Sequence, residues 1–155
     1  MAAQVPFLQG LWLLHNFEYA EARREFQAAE AADPGFALAY WGEALSHNHS
    51  LWGEQDTAAA RAALAKLAGS REARLARAGT PRERDYLDAV EQLYGEGDKE
   101  LRDQRYLEAM AALARRYPAD VDGRSLHALA LLSVTGGKRD TANYMRAAAE
   151  ASEIS

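Results

Sequence analysis

Apolar residues recur along this chain at helical rather than alternating spacing. Tyr19, Ala22 and Phe26 fall at i, i+3 and i+7, and Tyr106, Ala109 and Leu113 repeat the pattern. That spacing puts three side chains on one face of an α-helix. Each set is followed by a break containing proline and aspartate: Ala32-Asp33-Pro34-Gly35 and Tyr117-Pro118-Ala119-Asp120. A second matched pair is Asp56-Thr57-Ala58, leading into Arg61, and Asp140-Thr141-Ala142, leading into Arg146. Aspartate there is a natural N-cap, because its carboxylate accepts the orphan N–H groups of the first turn. Helices of one kind are therefore predicted to begin near residues 17, 56, 104 and 140. A helix of another kind precedes each. The first starts near Pro6, since proline is tolerated in a first turn, and the second near Phe36. The third starts at Thr80-Pro81-Arg82-Glu83, a capping box with proline at the first helical position. The fourth starts near Val121. The prediction is an all-α chain of about four helix–turn–helix hairpins in one domain, at 5–33, 36–68, 80–117 and 121–154.

Three segments interrupt the series. Residues 48–55 read as a long loop between paired helices. Within 69–79, Ser70 caps one short helix over 71–78. Residues 95–98 read as a tight connector, and Gly136-Gly137 marks the last turn.

Composition supports the helical reading. Alanine and leucine number 34 and 19, against four valines, four threonines and one isoleucine. Strands draw on the β-branched residues that are scarce here. No apolar run approaches the roughly 20 residues that a membrane span needs. With no cysteine, disulfides, thiol catalysis and cysteine–zinc sites are excluded. A formal charge of −5 with scattered basic residues argues against nucleic-acid binding.

Residues 6–44 resemble a tetratricopeptide repeat. The match is carried by Gly10, Tyr19, Ala22, Phe26 and Ala29, then Asp33-Pro34, then Ala39-Tyr40-Trp41-Gly42, at a period of about 34 residues. The other three hairpins match loosely. The stretch from His15 to Leu45, with His47-Asn48-His49-Ser50-Leu51-Trp52 after it, is similar to one bacterial branch of these proteins. Members of that branch tend to be longer, with an export signal and a His-rich second half, and have no settled activity. The resemblance implies an α-α superhelix. It also implies a concave face, lined by the first helix of each hairpin, on which a peptide or protein partner lies. Candidate contact positions are Gln9, Trp12, Glu43, Arg84 and Arg124, with Trp52 added from the 48–55 loop. The acidic balance leans toward basic or neutral partners.

The alternative is a metal-binding protein. His15 near the end of the first helix and His47 near the end of the third would appear at one end of a solenoid. Glu43 lies one turn before His47, and His49 follows it. Together the four have ligand chemistry for zinc, nickel or copper. His15 as a helix-end cation and His127 as a hydrogen-bonded core histidine are the plainer readings. Runs such as Arg23-Arg24 and Arg115-Arg116 read as solvated faces. Gly136-Gly137-Lys138 is not a phosphate loop, because Arg139 stands where Ser or Thr should bind magnesium. No HExxH or GxSxG is present, so no catalytic constellation is expected.

The opening Met1-Ala2-Ala3-Gln4 has no basic, apolar leader pattern. It fits a cytoplasmic chain or an exported, periplasmic one with its leader removed. The last hairpin runs to Ser155 without a polar capping helix. That predicts either a piece of a longer protein or self-association through this end.

Overall fold

The computed structural model describes residues 2–135 and 140–154. Among them are nine helices and one small sheet: α1 (Gln4–His15), α2 (Tyr19–Ala32), α3 (Ala37–Leu45), β1 (Asn48–His49), β2 (Glu54–Gln55), α4 (Thr57–Leu67), α5 (Arg71–Leu75), α6 (Pro81–Leu93), α7 (Lys99–Arg116), α8 (Val121–Ser133) and α9 (Thr141–Ile154). The chain is mostly helical, as its composition requires. The turn expected at Gly136-Gly137, with Lys138 and Arg139, lies outside the described residues. No helix among the described residues is long and apolar enough to cross a membrane.

The caps act as their chemistry predicts. Asp56 accepts the Ala59 N–H at 3.0 Å, Ser70 that of Ala73 at 3.2 Å, Asp120 that of Gly123 at 3.2 Å and Asp140 that of Asn143 at 3.1 Å. Thr80 accepts from Glu83 at 3.2 Å, but the Glu83 carboxylate reaches past Thr80 to the Gly79 N–H at 2.7 Å. The short helix capped by Ser70 ends at Leu75 rather than at 78, and one helix start also moves. Helix α7 begins at Lys99 rather than near 104, because Asp98 caps the Leu101 N–H at 2.9 Å immediately after the turn at Gly97 (φ +107°). The 48–55 segment is not a plain loop. It is an antiparallel hairpin in which Asn48 pairs with Gln55 and His49 with Glu54.

Consecutive helices pack in order, α1 on α2, α2 on α3 and α3 on α4, then α6 on α7, α7 on α8 and α8 on α9. Helix α3 also packs on α6, and α1 touches α3. One core runs through these contacts, from Leu14 and Phe26 past Trp41, Leu64 and Leu87 to Tyr106, Leu113 and Leu126. A smaller cluster of Ala128, Leu131 and Ala147 joins α8 to α9. Of the apolar positions read from spacing, Ala22 and Phe26 are fully enclosed and Tyr106 and Leu113 nearly so, while Tyr19 and Ala109 are half-buried.

Candidate functional site

The end of α1 is shaped by an unusual cap. Phe17 donates its N–H to the Leu14 carbonyl at 3.1 Å and Glu18 donates to the Leu13 carbonyl at 3.0 Å. This pair of bonds is a Schellman motif, which places the residue after the C-cap in the left-handed region. Glycine usually fills that position. Here it is Phe17, at φ +63°, where a β-carbon costs about 1–2 kcal/mol.

This ending aims His15 and Phe17 across the molecule at the last hairpin. His15 donates from Nε2 to Asp122 Oδ1 at 3.0 Å, joining the first helix to the start of α8. The imidazole's hydrogen bond holds the Asp122 carboxyl below its ordinary value. Behind the pair lies an apolar pocket of about 480 Å³ lined by His15, Phe17, Ser125, Ala128, Leu129, Leu132, Tyr144, Ala147, Ala148 and Ala151. The alanines of α9 make the room, since they offer no side chain beyond Cβ. Ser125 shares the lining with His15, and Asp122 is one turn away. Ser125 makes no hydrogen bond to His15 among the described residues.

A second, wider depression shares Leu132 and Tyr144 with the pocket. It runs along the hairpin tip, Ser50 to Gly53, and the first turn of α7. Its position is fixed from below. Arg102, buried in α7, donates to Gln55 Oε1 at 2.9 Å and Thr57 Oγ1 at 3.2 Å. Gln55 in turn donates to Asn48 Oδ1 at 3.2 Å, and the Asp56 N–H closes onto the His47 carbonyl at 3.0 Å. So anchored, the hairpin brings Trp52 beside Phe17 and Tyr19. The three ring centroids are 6.1 to 6.3 Å apart. His49 stacks on Tyr19 at 4.2 Å, with its Nδ1 3.5 Å from Glu54.

The expected metal set does not assemble. His15 is committed to Asp122. His47 Nδ1 accepts from Arg23 Nη1 at 3.0 Å. Burial, then the Arg23 charge, lowers the His47 pKa and keeps the ring neutral. His49 lies on Tyr19. Glu43 is buried in another place, contacting Lys66 and accepting from Gln27 at 2.7 Å. Among the described residues no group of three or more His, Asp or Glu is placed to hold a metal ion. His127 is hydrogen-bonded, its Nδ1 donating to Glu150 at 2.6 Å.

The expected contact positions fare unevenly. Gln9 and Trp12 are exposed on α1, and Arg84 is exposed on α6, where it reaches the Leu75 carbonyl at 3.4 Å. Arg124 is half-buried and tied to Glu150 and Glu153. Glu43 is no contact position at all, because α2 and α4 enclose it together with Glu30 and Lys66. Of the six, Trp52 lines the wider depression described above. The pocket residues on α8 and α9 carry little signal in the sequence. Their one sequence signal is the small-residue face of Ala147, Ala148 and Ala151, which reads equally well as plain helix propensity.

Comparisons with protein-family models, with curated proteins and with solved structures find no match.

Proposed function

We propose that the chain is a non-catalytic recognition module, a superhelix of the tetratricopeptide kind that takes a peptide or protein partner on its inner side. The observation that carries this reading is the apolar pocket between the end of α1 and the α8–α9 pair. Its volume lies in the range of ordinary binding pockets, and its walls are apolar with a few polar groups at the edge, as such pockets are. The serial packing of the helices, with α1 against α3 and α3 against α6, supports a repeat superhelix. The partner presents a large apolar side chain to the pocket and continues along the wider depression past Trp52.

The test is selection from a displayed random-peptide library on the immobilised chain, repeated on Ala148→Phe. Ala148 is exposed on the pocket wall, so the added ring fills the pocket without entering the core. The expected result is enrichment of peptides sharing a large apolar residue, with binding lost in the variant at unchanged melting temperature. Peptides that bind both proteins equally, or no enrichment, would refute the reading.

A further inference from the structure

We propose that Phe17, Tyr19 and Trp52 form three walls of a binding corner for an alkylammonium group, the head of a methylated lysine side chain or of a small quaternary amine. The inference stands on ring geometry and does not rest on the peptide reading above.

The three rings are nearly equidistant. Phe17 and Trp52 are 6.1 Å apart at 76°, Tyr19 and Trp52 6.3 Å apart at 84°, and Phe17 and Tyr19 6.3 Å apart at 60°. These separations and angles fit three walls at the corner of a box. For perpendicular walls, the point facing all three lies at the centroid separation divided by √2, about 4.4 Å from each face, inside the roughly 6 Å reach of a cation–π contact. A compact cation of trimethylammonium size placed there would meet three negative ring faces at once.

Other features fit a site better than a plug. Trp52 is 61% exposed despite sitting against two other rings. The turn that carries it is held by its own N–H to the His49 carbonyl at 3.0 Å and by the anchoring of the hairpin to Arg102. Tyr19 has one face covered by His49, stacked at 4.2 Å, which fixes the plane of its ring. Phe17 keeps a left-handed backbone that glycine would adopt without cost. Strain of this kind collects where a side chain is wanted for function. Two carboxylates accompany the rings, Glu18 beside Phe17 in the chain and Glu54 beside His49, and both favour a cation over a neutral guest.

The experiment titrates tetramethylammonium at constant ionic strength, following the indole N–H resonances by NMR and heat by calorimetry. The charge control, titrated beside it and beside choline, is 3,3-dimethylbutan-1-ol, the neutral isostere of choline. The expected result is saturable binding of the cation, with the Trp52 indole shifted and the alcohol at least fivefold weaker. Trp52→Leu and Phe17→Leu each lower the affinity about tenfold, the scale of one desolvated cation–π contact. Circular dichroism checks that both variants stay folded. Choline and N-acetyl-trimethyllysine amide are compared in the same assay, and the tighter of the two names the source. Equal response to cation and alcohol, no saturable cation binding, or binding unchanged in a folded Trp52→Leu would overturn the proposal.

Discussion

Replacing Gly42 by alanine sets two effects against each other. In a helix interior the exchange should stabilise, since glycine is about 1 kcal/mol poorer than alanine. The packing says otherwise. Phe26 is fully buried between α1 and α3, with Gly10 and Gly42 against its ring. A Cβ on Gly42 would stand 2.5 Å from Phe26 Cζ and 2.6 Å from Cδ1, and closer still to Cε1. Carbon atoms in contact prefer roughly 3.5–4.0 Å, so the overlap is about 1 Å against a ring with nowhere to move. Overpacking of this kind costs about 1–3 kcal/mol, at times more, and here it outweighs the propensity gain. We expect Gly42→Ala to lose about 2 kcal/mol net, lowering the melting temperature by about 4–8 °C for a chain of this size. Gly10→Ala, with its Cβ 2.9 Å from Cδ1 and Cε1, should cost less. Thermal and urea unfolding followed by circular dichroism measure both. Phe26→Leu should suppress the Gly42→Ala penalty, giving a coupling of about 1 kcal/mol or more in a double-mutant cycle. A Gly42→Ala protein that melts higher than wild type would refute the packing argument and leave propensity in charge.

Three further outcomes follow from other parts of the structure. The buried Glu30 carboxyl accepts from Lys66 Nζ at 2.6 Å. Burial, then its hydrogen bond to Glu43, pushes its pKa up to about 7. Burial also opposes ionisation of Glu43, but hydrogen bonds with Glu30, Gln27 and Lys66 outweigh it and lower that pKa. Because Glu30 titrates higher folded than unfolded, its contribution is complete below about pH 4.5 and is lost as the pH rises to about 7. The stability difference between Glu30→Gln and wild type should therefore shift in favour of the variant across that window, and a difference independent of pH would sink the argument. Asp120 is buried and accepts from Tyr86 Oη at 2.9 Å, Arg82 Nη1 at 3.0 Å and the Gly123 N–H. Asp120→Ala strands the Tyr86 hydroxyl and removes a cap, at a cost of about 2–4 kcal/mol in urea unfolding; a loss below about 1 kcal/mol would show that water replaces those bonds. Phe17→Gly relieves the left-handed backbone while losing a partly exposed ring. Its stability should stay within about 1 kcal/mol of wild type while ammonium binding falls, and a large destabilisation would recast Phe17 as a structural plug.

What could be read along the chain was what short-range chemistry decides. Asp56, Ser70, Thr80, Asp120 and Asp140 each bond an N–H three residues ahead, so a few neighbouring letters suffice to place a helix start. The buried faces of α2 and α7 follow from helical periodicity, and the mostly helical character from alanine and leucine. The site was not legible in this way. His15 meets Asp122 across most of the chain, and Phe17 and Trp52 meet only because a Schellman turn and an anchored hairpin bring them together. The position of Glu43 depended on which neighbouring helices enclose it, and α2 and α4 turned a supposed contact residue into a buried ion-pair partner. Caps and faces are set by bonds within one turn of backbone. Pockets and ring corners are set by how whole helices pack, and small differences summed over many contacts decide that only once the chain has folded.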